Sequence, residues 1–346
     1  MPYKHNASRR HKIKKARYKV QLIAGYFSQL NLSLSRCRPR FPAVSIESAK
    51  IRLLWVVRMA KDKQWQWIPT SLTFPQFEQF ILPHLLVGGR GPAPKLPLHT
   101  IFNYILRLLY TGCQWQELPI TKDEAGCPEI HYTRIYRMFR YWQARGCIDA
   151  IFAASVSILG QRDLLDIRVM HGDGTTTAAK KGGDHIGFSG HKKMKGDKVV
   201  VICDRNCNVI APILSAPGNR NESPLLREAL AQLASLAKAA GLDLRGNIIS
   251  FDGVYDCPAN RKAIFNRGMI PNINENRRGR KTTKRGRTQL FDPDIFEERF
   301  RTIERVFAWE DKFKRLLLRF EFISEVHYAF KTLAYTLINL RHFCQR

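Results

Sequence analysis

Arg168-Val-Met-His-Gly-Asp-Gly-Thr-Thr176 is the stretch on which the reading of this chain turns. Residues 167–170 are an apolar lead-in of the kind that forms a short strand, and Asp173 follows it between two glycines. A carboxylate so flanked, expected at the C-terminal end of a strand, is open to close approach by a large ligand, because glycine places no Cβ beside it. Two later acids share parts of this setting. Asp252 ends an apolar run in Ser-Phe-Asp-Gly, and Glu304 lies in a helical stretch.

Downstream, strand and helix signals alternate. The pattern predicts strands over 168–171, 195–203 and 208–214, the last two joined by the polar turn Asp204-Arg-Asn-Cys207. Pro217-Gly-Asn219 stops the third. An Ala/Leu-rich helix over 223–240 follows, capped by Asn221 or Ser223 and closed by Gly241. Then come a strand over 247–251, a helix over 259–266, a strand over 269–273, a long helix over 296–320 and a final helix over 326–344. Three meandering strands, a helix, a strand, a helix and a strand make the order of an RNase H-like α/β core, a mixed sheet flanked by helices. Upstream the pattern is helical. A short helix is predicted over 47–62, one starting at Thr73 with Pro75 in its first turn, one over 97–110 with Ile101, Ile105, Leu108 and Leu109 on its apolar side, and one over 132–145. Arg134, Arg137 and Arg140 share a face of the last, which suits either phosphate contact in a helix-turn-helix or a solvated bundle surface. The expected division is a basic arm with a short helix (1–62), a helical DNA-binding domain (63–160) and the α/β domain (161–346).

Charge points to the partner. The 346 residues carry 57 Lys+Arg against 29 Asp+Glu, a formal net charge of +28, and such an excess calls for a polyanion. No Asp or Glu occurs in residues 1–46, and eight Lys or Arg fall within the first twenty. That block reads as a DNA-gripping arm or a solubilising tail; a transit peptide is the minor alternative. The loop 277–288, with Arg278 and Arg280 among its basic residues, is too charged to pack and reads as a phosphate-gripping loop, with a solvated insertion as the lesser alternative. Apolar runs such as 51–57 are far short of the ~18 residues a spanning helix needs, so no membrane is expected. The eight cysteines lack CxxC pairs, which predicts reduced thiols in the cytoplasm and neither a disulfide framework nor structural zinc.

The acid contexts, taken together, resemble a known family. Asp173 in His-Gly-Asp-Gly-Thr-Thr, Asp252 in Ser-Phe-Asp-Gly-Val-Tyr-Asp, and Arg301-Thr-Ile-Glu-Arg-Val-Phe-Ala-Trp309 are similar to the three acid motifs of bacterial insertion-sequence DDE transposases, family five of the family-four-like superfamily. Leu72-Thr-Phe-Pro, Tyr110-Thr-Gly-Cys-Gln-Trp-Gln-Glu-Leu-Pro119, Ala216-Pro-Gly-Asn and Lys314-Arg-Leu-Leu-Leu-Arg-Phe-Glu321 resemble further motifs in the same order. The resemblance implies that Asp173, Asp252 and Glu304 bind Mg²⁺ or Mn²⁺. It also implies that the protein nicks DNA at terminal inverted repeats, that the freed 3′-hydroxyl attacks target DNA, and that a homodimer pairs the two ends at the bacterial nucleoid.

The third motif departs from the family pattern. Its usual Lys seven residues past the Glu is Asp311 here, with Lys312 one step late, and Phe296 or Phe300 replaces a Tyr. On one continuous helix, Arg301 and Arg315 would lie within roughly 60° of Glu304 and Lys312 about 80° away. Arg315 is therefore expected to take the phosphate contact. Two other functions share these features: an RNase H-like endonuclease that cuts without joining, and a DNA-binding remnant with idle acids.

Overall fold

The computed structural model describes residues 67–86, 94–276 and 289–344. By contacts the chain divides into Met1–Gln64 and Trp65–Arg346. The basic arm, the helix expected over 47–62 and the loop 277–288 with Arg278 and Arg280 lie outside the described residues.

Six strands form one mixed sheet: β1 (Val169–Ala178), β2 (Gly187–Ser189), β3 (Met194–Asp204), β4 (Leu214–Pro217), β5 (Ile248–Phe251) and β6 (Ile270–Ile273). Its order is β2-β3-β1-β5-β6, with β4 also pairing along β3. β1 runs antiparallel to β3, whereas β5 is parallel to both β1 and β6. Both faces are covered, so β3 is buried from Gly196 to Asp204, and its middle, residues 199–203, reads as an apolar run instead of an alternation. Val200 and Ile202 join the cluster that includes Leu226 and Leu230 of the helix Glu222–Ala239; Val199, Val201 and Cys203 join the cluster on the opposite face.

Helices Phe74–Phe80 (α1), Leu98–Thr111 (α2), Tyr132–Ala144 (α3) and Cys147–Gln161 (α4) precede the sheet. α1 starts as its sequence directs. Thr73 accepts from Gln76 N while the Gln76 side chain accepts from Thr73 N, closing a capping box with Pro75 in the first turn. α4 has no counterpart in the sequence reading, because its residues are mostly apolar or small on every side and show little periodicity. These helices share one apolar cluster with the last helix, Ser324–Leu340, where the Phe139 and Phe330 rings stack at 4.3 Å. The remaining helices, in chain order after α4, are Glu222–Ala239 (α5), Pro258–Phe265 (α6), Pro293–Glu298 (α7), Ile303–Glu310 (α8) and Ser324–Leu340 (α9).

Two expectations are corrected. The strand expected over 208–214 is displaced to β4, four residues starting at Leu214. Around Val209 a side chain does a strand's work: Asn339 of α9 accepts from Val209 N at 2.8 Å and donates to Val209 O at 2.9 Å. The continuous helix over 296–320 is broken into α7, a 3₁₀ turn at Arg299–Arg301, α8, and a second 3₁₀ turn at Lys314–Leu316. Thr302, at φ −115° and ψ −85°, marks the first break. Burial of Ile303, Val306 and Phe313 and anchoring of Glu310 and Arg315 outweigh the helical propensity of the run. In addition, β2 is a short edge strand that its sequence, Gly-Phe-Ser, does not announce.

Candidate active site

The parallel register of β1 and β5 pairs His171 with Ser250. Two residues further along each strand stand Asp173 and Asp252, and the two-residue alternation of side chains turns both to the same face. Asp173 lies within β1, opposite Val201 of β3, but beyond the end of the β1–β5 ladder. It is therefore a strand-end acid with respect to β5 only. Asp252 leaves β5 and caps the 3₁₀ turn Gly253–Tyr255, its Oδ1 accepting from Gly253 N at 2.6 Å. Asp173 Oδ1 likewise accepts from Gly174 N at 2.8 Å. Glu304 is exposed in the first turn of α8, a helix that packs on β1 and β3.

Electrostatics tie the three acids together. Burial pushes the Asp173 carboxyl up to about 6; Arg299 and the Gly174 N–H oppose this, and the charges of Asp252 and Glu304 add to it. The strongest neighbour is Arg299, whose Nη2 donates to Asp173 Oδ2 at 2.5 Å. Arg299 is 6% exposed, its Nε has no hydrogen-bond partner among the described residues, and the Phe296 and Phe300 rings lie 5.3 and 5.8 Å from its guanidinium carbon. Asp173 feels the charges of Asp252 and Glu304, yet the three do not close on one point: among the described residues no three His, Cys, Asp or Glu side chains form a group that could hold a metal ion. Coulomb fields reach further than a ligand bond, so the two observations agree.

The glycines have a different role from the one expected. Gly172 and Gly174 point away from the acids, into the layer formed by α5 and the segment after β5. A Cβ on Gly172 would lie 2.2 Å from the Phe251 ring, and one on Gly174 would lie 3.0 Å from both Glu222 Oε2 and the Tyr255 hydroxyl. Packing of the opposite face requires them. Glu222 is paired with Lys198 at 3.1 Å, and the buried Tyr255 hydroxyl is pushed well above its usual range by burial, then by Glu222 and Asp173.

Residues that the sequence reading passed over surround Asp173. His171, two positions earlier on the same face, is buried and 3.6 Å from Glu298 Oε2, too far for a hydrogen bond. Burial pushes it down to about 4, so the imidazole is neutral at pH 7. Glu298 instead takes two bonds from Arg205, at 2.7 and 2.9 Å. Arg299 and Glu298 fall five and six positions before Glu304, where a run of charged residues offered no means of choosing among them.

The basic residues singled out by the sequence are dispersed. Arg301 and Lys312 are exposed on either side of α8. Arg315 is not on a continuous helix with Glu304; it is buried, donating to Glu321 Oε1 and to Cys113 O. Arg134 and Arg137 are exposed on α3, and Arg140 bonds Gln143. A cleft of about 550 Å³ between α2 and residues 70–72, lined by His99, Asn103, Arg107 and Tyr110, includes none of the three acids.

A family model described as "Transposase DDE domain" matches residues 164–337, which span all six strands and all three acids. No match is found among curated proteins. Solved structures with some likeness include a piggyBac transposase synaptic complex with hairpin DNA (8% identity, 80% of this chain and 76% of that one, TM-score 0.43). Others are a Mos1 transposase paired-end complex with the left transposon end (12%, 91% and 90%, 0.24) and a Mos1 mariner paired-end complex with Mn (13%, 86% and 97%, 0.23). Likeness at this level gives no residue correspondence. The family match covers half of the chain, and on it the protein belongs to the transposase DDE-domain family.

Proposed function

We propose that the protein is a transposase that cuts DNA at the terminal inverted repeats of its insertion sequence and joins the freed ends to target DNA. The observation that carries this reading is the pairing of Asp173 and Asp252 on one face of adjacent parallel strands, with Glu304 close enough to act on Asp173. The strand order, three antiparallel strands followed by two parallel ones, supports an RNase H-like catalytic domain. The helices before it, with exposed Arg134 and Arg137, supply a DNA-binding region.

The donor set fits a hard divalent cation, Mg²⁺ or Mn²⁺, because all three groups are carboxylates. Asp173, Asp252 and Glu304 would hold it. Bound there, a pair of such ions supplies Lewis acidity to the scissile phosphate. The chain's own contribution is position and charge. Backbone N–H groups of Gly174 and Gly253 fix Oδ1 of each aspartate, so Oδ2 is the oxygen that would meet a ligand, at Asp173 in competition with Arg299. Glu304, exposed at the start of α8, is free to turn toward them. Cleavage forms a bond from a water oxygen to phosphorus and breaks the P–O3′ bond, releasing a 3′-hydroxyl; joining forms a bond from that 3′-oxygen to a target phosphorus and breaks the target's P–O3′ bond, whose 3′-oxygen leaves as a hydroxyl. Two ends brought together call for a homodimer. The order of the sequence motifs supports a member of insertion-sequence family five of bacteria, which would act at the nucleoid. Among the described residues no helix is long and apolar enough to cross a membrane.

The test is a supercoiled plasmid carrying the element's ends, with purified protein and Mg²⁺. Nicks at the ends and joined products are expected. Nicking without joining would favour the endonuclease reading, and binding without either would leave a DNA-binding remnant.

Arg299 gives a separate prediction. Its guanidinium and a divalent cation compete for Asp173 Oδ2. Arg299→Gln is expected to tighten Mn²⁺ binding, read by titration calorimetry, by roughly tenfold, the equivalent of about 1.4 kcal/mol of relieved competition. Unchanged or weaker binding would show that Arg299 does not guard the site.

A further inference from the structure

A basic surface lies beyond the far end of β1. Residues 180–195 carry five lysines (180, 181, 192, 193 and 195) and His185 and His191, against one acid, Asp184. All seven basic side chains are exposed. The sheet gathers them. Ala179 N still donates to Lys195 O at 2.9 Å, so Lys180 and Lys181 leave β1 beside the start of β3. Phe188 of β2 pairs with Lys195, and residues 190–193 form the turn that carries Lys192 and Lys193.

Asp184 does not neutralise this cluster, because its carboxylate is already engaged. It accepts from Arg319 Nη2 at 2.7 Å, from Ser324 N at 2.6 Å and from Ser324 Oγ at 3.1 Å. These contacts pin the loop between β1 and β2 to the start of α9. None of the five lysines forms an ion pair among the described residues. Like charges gathered without partners repel, and the arrangement gains only when an anion is laid across it.

One alternative is edge protection, since lysines on an outer strand discourage pairing with another chain. Their positions argue against it. β2, Gly187–Ser189, contains no lysine and exposes Phe188; the lysines sit in the flanking turn, on β3 and past the end of β1. They do not block the edge.

We propose that this hairpin end, through Lys180, Lys181, Lys192, Lys193 and Lys195, grips the phosphate backbone of duplex DNA outside the catalytic site. The proposal rests on DNA being the substrate. Seven extended residues separate Asp173 from Lys180, about 23 Å at ~3.3 Å each. That is roughly seven base pairs of one duplex at ~3.4 Å per phosphate, so a duplex engaged at the acids reaches the lysines.

The test uses the full chain and a random-sequence duplex, since phosphate contacts do not depend on sequence. Anisotropy titrations across a KCl series compare wild type with the quadruple variant K180Q/K181Q/K192Q/K193Q. Each lost phosphate contact should reduce the slope of log K against log[salt] by about 0.9, so a fall of roughly 3 to 4 is expected. A slope within about 0.5 of wild type would overturn the proposal, as would an unchanged slope with new self-association, which would assign the lysines to edge protection. If the quadruple variant does not fold, K180Q/K181Q and K192Q/K193Q are measured separately, each expected to lose about 1.8. Wild type that binds no duplex at all would remove the transposase reading itself, an outcome distinct from an unaltered slope in the variant.

Discussion

Asp173→Asn is expected to lower single-turnover nicking of an end-bearing plasmid by about a thousandfold or more while duplex binding is retained. The asparagine keeps an acceptor for Gly174 N but loses the charge that a cation would meet, and a factor of a thousand corresponds to about 4 kcal/mol of transition-state stabilisation. Nicking within tenfold of wild type would remove Asp173 from the site. The same substitution has a signature independent of catalysis. The carboxyl is raised from 3.8 to about 6 in the folded chain, chiefly by burial, so folding takes up a proton between those values. Its charge therefore costs stability above pH 6, and that cost fades as the pH falls toward 4. Wild type should lose more thermal stability than Asp173→Asn between pH 5 and pH 7.5. Parallel melting curves in the absence of divalent ions would count against a raised carboxyl.

Glu310→Ala should produce the largest loss of stability. Glu310 closes α8 and is buried, accepting from Lys331 Nζ and the Tyr335 hydroxyl, both on α9. Truncation leaves the Lys331 ammonium, 1% exposed, without its counter-charge. Breaking a buried pair from one side costs about 3–5 kcal/mol, whereas replacing both partners by apolar groups costs far less. Urea unfolding of Glu310→Ala should show that loss, and adding Lys331→Met should recover most of it. A single-variant loss under about 1 kcal/mol, the range of exposed pairs, would mean that water or another group solvates Lys331. Because α8 also carries Glu304 in its first turn, this anchor holds the third acid over β1, and nicking should fall along with stability.

Local signals, read one element at a time, located much of the architecture. Thr73 and Pro75 begin α1, Asn221 caps α5, and Gly241 at φ 70° follows its end, because capping and left-handed turns are decided within a few residues. Asp173 and Asp252 were legible as a pair because each follows a short apolar run next to glycine. What surrounds them was not. Arg299 is one of several arginines in a helical run, and only the 3₁₀ break before α8 directs it onto Asp173. Arg315 reads as a surface cation until Glu321 and Cys113 enclose it. Gly172 and Gly174 read as an opening for a ligand until Phe251, Glu222 and Tyr255 come up beneath them.

The sequence by itself determined β1, β3, β5, β6 and many of the helices, the two strand-associated aspartates and the charge that calls for a polyanion, since propensity, periodicity and net charge are properties of neighbouring residues or of their sum. Only the tertiary structure decided that the strand after Asn208 yields to the side chain of Asn339, that Arg299 is the counter-charge of Asp173, and that five lysines meet at the end of one hairpin. Each depends on groups distant in the chain coming within hydrogen-bond or Coulomb range, and no local pattern encodes that distance.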